Sequence, residues 1–371
     1  MPDHKKQHYV PRFYLKWFTA NPKLINLYNW KNEKTIFNAS LKEQCYVDYF
    51  YGADGELERQ FAELEGIISN YFKIIHETGV LPDRLNEHHD QLLFWVVLQT
   101  CRTPYAADLL NEMTDKMMKA TLINHKDVSR EMLNSVTITH NDAIKAAIAY
   151  KAPSYPLLRD LHMKLIVCPR GTEFITSDTP VATHNQMMSW RAHMGSTTGL
   201  TWKGLQIFYP LSSQVLLMLY DPNVYVVGDR GKPWQFLTDK RDVDELNVFT
   251  AAHAHENIYF LSGASNFVKV VERATGMRRS AKTKMQKSPI AEKADGTGYS
   301  QFIMSSIEDV QMDMQLSFIK LNKQAKAWIA AAQNERMMPG MVPRSAAVME
   351  DLTQMRKERK EARGSHAGTN A

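Results

Sequence analysis

The chain is poor in cysteine. Cys45, Cys101 and Cys168 stand singly among 371 residues, with no CxxC and no paired spacing. That argues against zinc-finger and disulfide frameworks and suits a reducing compartment. No stretch approaches the ~18 uninterrupted apolar residues that a membrane helix needs. The first residues are too charged, and too short of a continuous apolar run, to read as a secretory signal. A soluble cytoplasmic protein with no membrane partner is the expectation. Also missing are a GxxxxGK[ST] loop, a GxGxxG after a strand and a GxSxG elbow. Their absence argues against P-loop ATPases, Rossmann dehydrogenases and α/β-hydrolases.

What is present suffices for one large domain or two of ordinary size, with 44% hydrophobic and 10% aromatic residues to build a core. The net charge of +5 is not spread evenly: between residues 269 and 293 eight Lys/Arg face two Glu. The remainder of the chain is therefore close to neutral. Residues 269–300 are expected to form a flexible basic connector, either a solvated linker or a contact for nucleic acid or another acidic partner.

The opening stretch, QHYVPRFYLKWF from Gln7 to Phe18, departs from the usual polar chain end. Val10, Phe13, Tyr14, Leu15, Trp17 and Phe18 must be buried, and His8 and Arg12 are expected to be carried inward with them. A buried cation then needs a partner. Further along, Leu24–Trp30 and Thr35–Ser40 flank a polar turn as a hairpin. Leu57, Phe61, Leu64, Ile68, Tyr71 and Ile75 recur at spacings of 4, 3, 4, 3 and 4, which only a helix aligns. A second helix is expected over 85–102, with others over 111–121 and 142–150.

Beyond residue 160, strand-like runs bounded by Pro and Gly dominate, broken by a helix over 242–253. Helices and strands are segregated rather than alternating. The fold class is therefore α+β: a helical first half behind a small β hairpin, and a mostly antiparallel sheet in the second half. The core is expected over 1–268. A long C-terminal helix is expected over 306–335, within an extension from 301 to 338, with an unfolded tail over 339–371.

Several polar residues stand in apolar or turn contexts. His8 and Arg12 lie in the opening stretch, and Gln99 and Arg102 at the end of an apolar helix. Ser177 and Asp178 follow a strand and precede Thr179-Pro180. A carboxylate at a strand end, held by a proline-stiffened turn, suits a metal ligand or general base, and it equally suits an Asx-turn or helix cap. Glu87-His88-His89-Asp90 reads as a solvated helix start, because adjacent helix residues do not share a face.

QHYVPRFYLKWF, QTCRTP at 99–104 and FITSDTPV at 174–181 together resemble an uncharacterised bacterial domain-of-unknown-function family, whose marks are QHYVPxFYLxxF and SDxPV. The resemblance extends over about 4–265 and takes in Glu65, Tyr209-Pro210-Leu211-Ser212, and Asn247 with Ala251. It implies no reaction, but it places His8, Tyr9, Gln99, Arg102, Ser177 and Asp178 at motif positions, and it fades after about 270.

The enzymatic expectation is a hydrolase of phosphodiester or nucleotide substrates. His8, Arg12, Gln99, Arg102, Ser177 and Asp178 are its catalytic candidates, in one cleft where the cations stabilise developing charge. Asp178, with Glu65 as a second carboxylate, would hold a divalent metal. The other expectation is a non-catalytic binding or regulatory protein in which the same His/Arg/Asp network fixes the fold.

Overall fold

A computed structural model describes residues 5–123, 125, 127–189, 196–262, 267–292, 299–307, 310–334 and 344–367. The apolar stripe becomes the helix Glu56–Thr78, bounded by Gly55 and Gly79, both with positive φ. Left-handed backbone at both ends is cheap only without a Cβ. The next helix, Glu87–Cys101, starts at Asn86, whose side chain accepts from the His89 N–H. Thr103 caps the helix Pro104–Leu122, and Pro104 occupies its first turn, where a missing N–H costs nothing. Ala143–Lys151 adds a further helix to this half.

The central sheet has five strands in the order Trp234–Phe236, His162–Val167, Val215–Tyr220, Gln206–Pro210, Ala182–His184. All neighbours are antiparallel except Trp234–Phe236 on His162–Val167. Alternation along the strands divides the core. Leu165, Ile207, Tyr209, Leu217 and Leu219 join the helices of the first half. Ile166, Phe208, Leu216 and Met218 face the helix Lys240–His253 and the segment 310–319. This is the period of two that a strand buried on both faces imposes. A second sheet of four strands sets Lys34–Ser40 and Leu24–Asn29 beside Asn257–Phe260 and Thr176–Ser177. The α+β class holds, with helices largely in the first half. No helix of the described residues is long and apolar enough to cross a membrane.

The opening segment pairs Lys6–His8 with Tyr46–Asp48, then enters the core as a single helical turn, Arg12–Leu15. Val10, Tyr14, Leu15 and Phe18 are fully buried. The Tyr14 hydroxyl lies 2.5 Å from Thr176 Oγ1 and donates to the Pro210 carbonyl at 2.7 Å, so it joins both sheets. Arg12 is exposed rather than carried inward. It lies on the outer side of that turn, where its charge stays in water.

The structure also differs from expectation after residue 266. In place of a connector stand the helix Phe267–Thr275, with Val270 and Ala274 in the core, and a hairpin of Thr283–Glu292 with Tyr299–Ile307. Lys116 Nζ donates to the Thr283 carbonyl, which ties the hairpin to the helix Pro104–Leu122. Among its described residues, the expected helix over 306–335 is replaced by the end of the strand Tyr299–Ile307, chain without helix or strand over 310–318, the strand Ile319–Leu321 and a shorter helix, Lys323–Asn334. Its Met312, Met314, Leu316 and Phe318 are buried at every second position, a strand period that the spacing of four picked out for a helix overlooked. Of the expected tail, 339–343 and 368–371 lie outside the described residues, as do 293–298 of the connector; Ala346–Ala367 is helical. His89 is buried, not solvated.

Removing residues 1–18 takes four fully buried side chains out of the core, each contributing about 1.5–3 kcal/mol. The shortened chain is expected to lose its cooperative melt by calorimetry or circular dichroism. A cooperative transition at the full-length temperature contradicts this role.

Candidate functional site

Arg102 ends its helix inside an aromatic box. Its guanidinium carbon lies 4.7 Å from the ring centre of Phe61 and 5.7 Å from those of Tyr51 and Trp95. Nη2 donates to the His8 carbonyl at 2.7 Å and to Glu65 Oε1 at 2.9 Å, and Nε donates to the Tyr51 hydroxyl at 3.2 Å. Glu65, from the Glu56–Thr78 helix, is thus the carboxylate of Arg102. Burial pushes its carboxyl up while Arg102 pulls it back. The His8 ring is half-buried and meets the Lys42 carbonyl at 3.2 Å. Burial is the main cause that holds its pKa down. His8, Arg12 and Glu65 line one open groove with Lys6, Lys16 and Lys42.

Asp178 is elsewhere. Its Oδ1 accepts from the His255 N–H at 2.8 Å, and its Oδ2 from the N–H groups of Glu256 and Asn257 at 2.7 and 2.9 Å. Burial pushes the carboxyl up, and the three amides act against it. Ser177 Oγ accepts from the Thr179 N–H at 3.2 Å. Ser-Asp thus ties the strand end to the turn leaving the helix Lys240–His253. Asp178 makes no hydrogen bond or ion pair with His8 or Arg102, so the expected single cleft is divided. The reason is that each charge found a nearer partner: Glu65 for Arg102, three amides for Asp178. Among the described residues no three His, Cys, Asp or Glu side chains converge as a metal would require. Asp178 and Glu65 do not form a shared carboxylate site.

Gln99 lies in neither place. It lines a cavity of about 500 Å³ between the helices Glu87–Cys101, Pro104–Leu122 and Ala143–Lys151 on one side and Thr183 and Ile207 of the central sheet on the other. The residues of the internal motifs meet there: Gln99, Cys101 and Thr103 from one, Thr179 and Val181 from the other. Gln99 is 1% exposed, and neither its Oε1 nor its Nε2 has a partner. Lys151, His253 and Arg279 also line the cavity, and among the described residues no Asp or Glu does. His253 Nδ1 donates to the Phe249 carbonyl at 2.9 Å, which leaves Nε2 as an acceptor, and burial holds its pKa well below the usual imidazole value. Burial likewise lowers Lys151, and it pushes the Cys101 thiol up to about 11.

Sequence reasoning missed Lys151, His253 and Arg279. Lys151 closes a short, weakly periodic helix, and Arg279 is one of eight cations in a run. Only the packing of distant segments singles them out. Thr179 belongs to the motif, but its hydroxyl donates to the His253 carbonyl at 2.7 Å, a contact with no local signal.

Two outcomes follow for stability. Asp178→Asn turns one acceptor into a donor facing amide N–H groups, and is expected to cost about 1–3 kcal/mol in denaturant melts; an unchanged midpoint would contradict the anchoring role. His184, on the strand Ala182–His184, is buried with Nε2 unpartnered, and burial holds its pKa to about 4 against an ordinary 6.5. Between those values the unfolded chain takes up a proton that the folded chain refuses, so stability falls as pH falls. The loss from His184 alone is about 3 kcal/mol. His184→Gln should flatten that part of the stability profile; an equally steep profile in the variant refutes the assignment.

The family model described as a protein of unknown function (DUF4238) matches residues 6–264. No curated protein and no solved structure matches the chain. The matched span contains the opening segment, the end of the Glu87–Cys101 helix and the Ser177-Asp178 turn, and it covers well over half of the sequence. The chain belongs to the DUF4238 family.

Proposed function

We propose that the chain binds a small, mainly apolar molecule in the cavity between its helical half and the central sheet, with Gln99 reading the polar edge of that molecule. One observation carries this reading: the Gln99 amide is buried with both oxygen and nitrogen unpaired, inside an otherwise largely apolar space. Each unpaired group costs roughly 1–3 kcal/mol. A ligand that presents a donor and an acceptor side by side, such as an amide, a carboxylic acid or a heterocycle edge, removes both costs at once. The cavity of about 500 Å³ lies within the range of about 300–1,000 Å³ usual for small-molecule sites.

The side chains around it favour binding over turnover. A thiol with a raised pKa is not a nucleophile, and an imidazole far below neutrality is a weak general base. A phosphodiester or nucleotide hydrolase working through His8, Arg12, Arg102 and Asp178 lacks comparable support, since Asp178 has both oxygens engaged and Arg102 is paired with Glu65. The arginine and aspartate networks have the character of fold-fixing contacts, as in the non-catalytic alternative.

The test is a thermal-shift series on the full chain with aliphatic and aryl acids, amides, alcohols and nucleoside monophosphates at millimolar concentration. At least one class is expected to raise the melting temperature, as binding at 100 times Kd adds about 2.7 kcal/mol. Gln99→Leu should weaken that ligand at least tenfold, while Arg12→Ala in the outer groove leaves it unchanged. A series with no responding class, or a Gln99→Leu protein with the wild-type Kd, overturns the reading.

A further inference from the structure

We propose that the molecule held in this cavity is an anion, and that its head group is received by Arg279, which lies beyond the family-matched span and is delivered by the C-terminal extension. This rests on the cavity reading above and adds the chemical class of the ligand.

The position of Arg279 is fixed by its surroundings. Its guanidinium carbon lies 3.8 Å from the ring centre of Tyr105, the Tyr105 hydroxyl donates to the Ser280 carbonyl at 3.3 Å, and the Arg279 N–H donates to the Ala252 carbonyl at 3.1 Å. Yet the guanidinium itself makes no hydrogen bond or ion pair among the described residues, and its Nε is buried without a partner. The other inward-facing arginines each have at least one side-chain hydrogen-bond partner, although Arg102 Nη1 and Arg278 Nε are also buried without one. Arg102 has Glu65, Arg344 has Asp160, and Arg278 donates to the His255 carbonyl at 2.6 Å.

Lys151, also on the cavity wall, has no carboxylate partner among the described residues. Arg279 lies close enough to help lower the Lys151 pKa, after the larger effect of burial. Two cations thus share a cavity with no Asp or Glu among its described lining residues. The field of Asp178 reaches Arg279, but burial outweighs it, and the oxygens of Asp178 are already taken by the amides of 255–257.

Bringing cations into an apolar space without counter-charge is unfavourable, and an anion placed between them reverses the penalty for both. The planar fork of an arginine stacked on an aromatic face is shaped for a carboxylate or phosphate. An anionic head, with an apolar body lying along Val96, Leu109 and Met113, is what these walls complement. The head could come from an organic acid or from a phosphate monoester, and the two share this chemistry.

The test is isothermal titration of the full chain with matched pairs: octanoate against octanamide, octyl phosphate against octanol, and adenosine monophosphate against adenosine. The wild-type protein is expected to bind the charged member of at least one pair tenfold or more tightly. Arg279→Gln should remove that preference while leaving affinity for the neutral member within about twofold. The pair that responds identifies the source as acyl, alkyl phosphate or nucleotide. Should Arg279→Gln fail to melt cooperatively, Lys151→Gln is read in the same way. Equal binding of charged and neutral members, or an unchanged preference in the variant read, overturns the proposal while leaving the cavity reading standing. If no probe of either kind binds the wild-type chain, both fall together.

Discussion

Three consecutive backbone N–H groups, those of His255, Glu256 and Asn257, point into the protein at one turn, and the Asp178 carboxylate accepts from all of them. Buried amides without acceptors would make that turn unaffordable. Because the carboxylate is there, the helix Lys240–His253 can end beside the strand Thr176–Ser177, and Asn257–Phe260 can enter the four-stranded sheet at its neighbour. That closure sets Thr179 and His253 on the cavity wall and lets Arg278 donate to the His255 carbonyl. Arg279 is the next residue, so the anchored turn also positions the cation that faces the cavity.

Arg102 and Arg279 make an instructive contrast. Arg102 is well partnered: a carboxylate, a carbonyl, a phenol and three aromatic rings surround it, and only Nη1 is left without a hydrogen bond. Its charge is already met by Glu65. Arg279 has a ring and, among the described residues, no side-chain hydrogen bond or ion pair. Burial with partners is the signature of structure, and burial without them leaves interaction energy available to a ligand.

The fold was legible where one side-chain period ran unbroken. The stripe from Leu57 to Ile75 gave the first long helix, and the strand-like runs around His162, Val215 and Asn257, bounded by Pro and Gly, gave strands. It was illegible where the same residues satisfied both periods. Met312, Leu316 and Ile319 fit a helix at spacings of four and three, but Met314 and Phe318 are buried with them, so the packing surface chose the extended form. The site was legible only in part, for a related reason. Motif residues such as Gln99, Arg102 and Asp178 stand out by their unusual context, but that context cannot say whether a polar group is buried to fix the backbone or to meet a ligand. Asp178 and Arg102 have partners within the fold. Gln99 has none on either side-chain atom.

Where the family match ends bears on how recognition is divided along the chain. The family span supplies the apolar walls, Gln99 and Lys151, whereas Arg279, Ile307 and Val310 close the cavity from beyond it. The closing segments are held by ordinary contacts to the core, Lys116 on the Thr283 carbonyl and Tyr105 on that of Ser280, and none of these requires a cation at residue 279. A guanidinium is costly in that position unless something repays its desolvation. On the proposed reading, the core sets the size and shape of what enters, and the segment beyond the family span sets its charge.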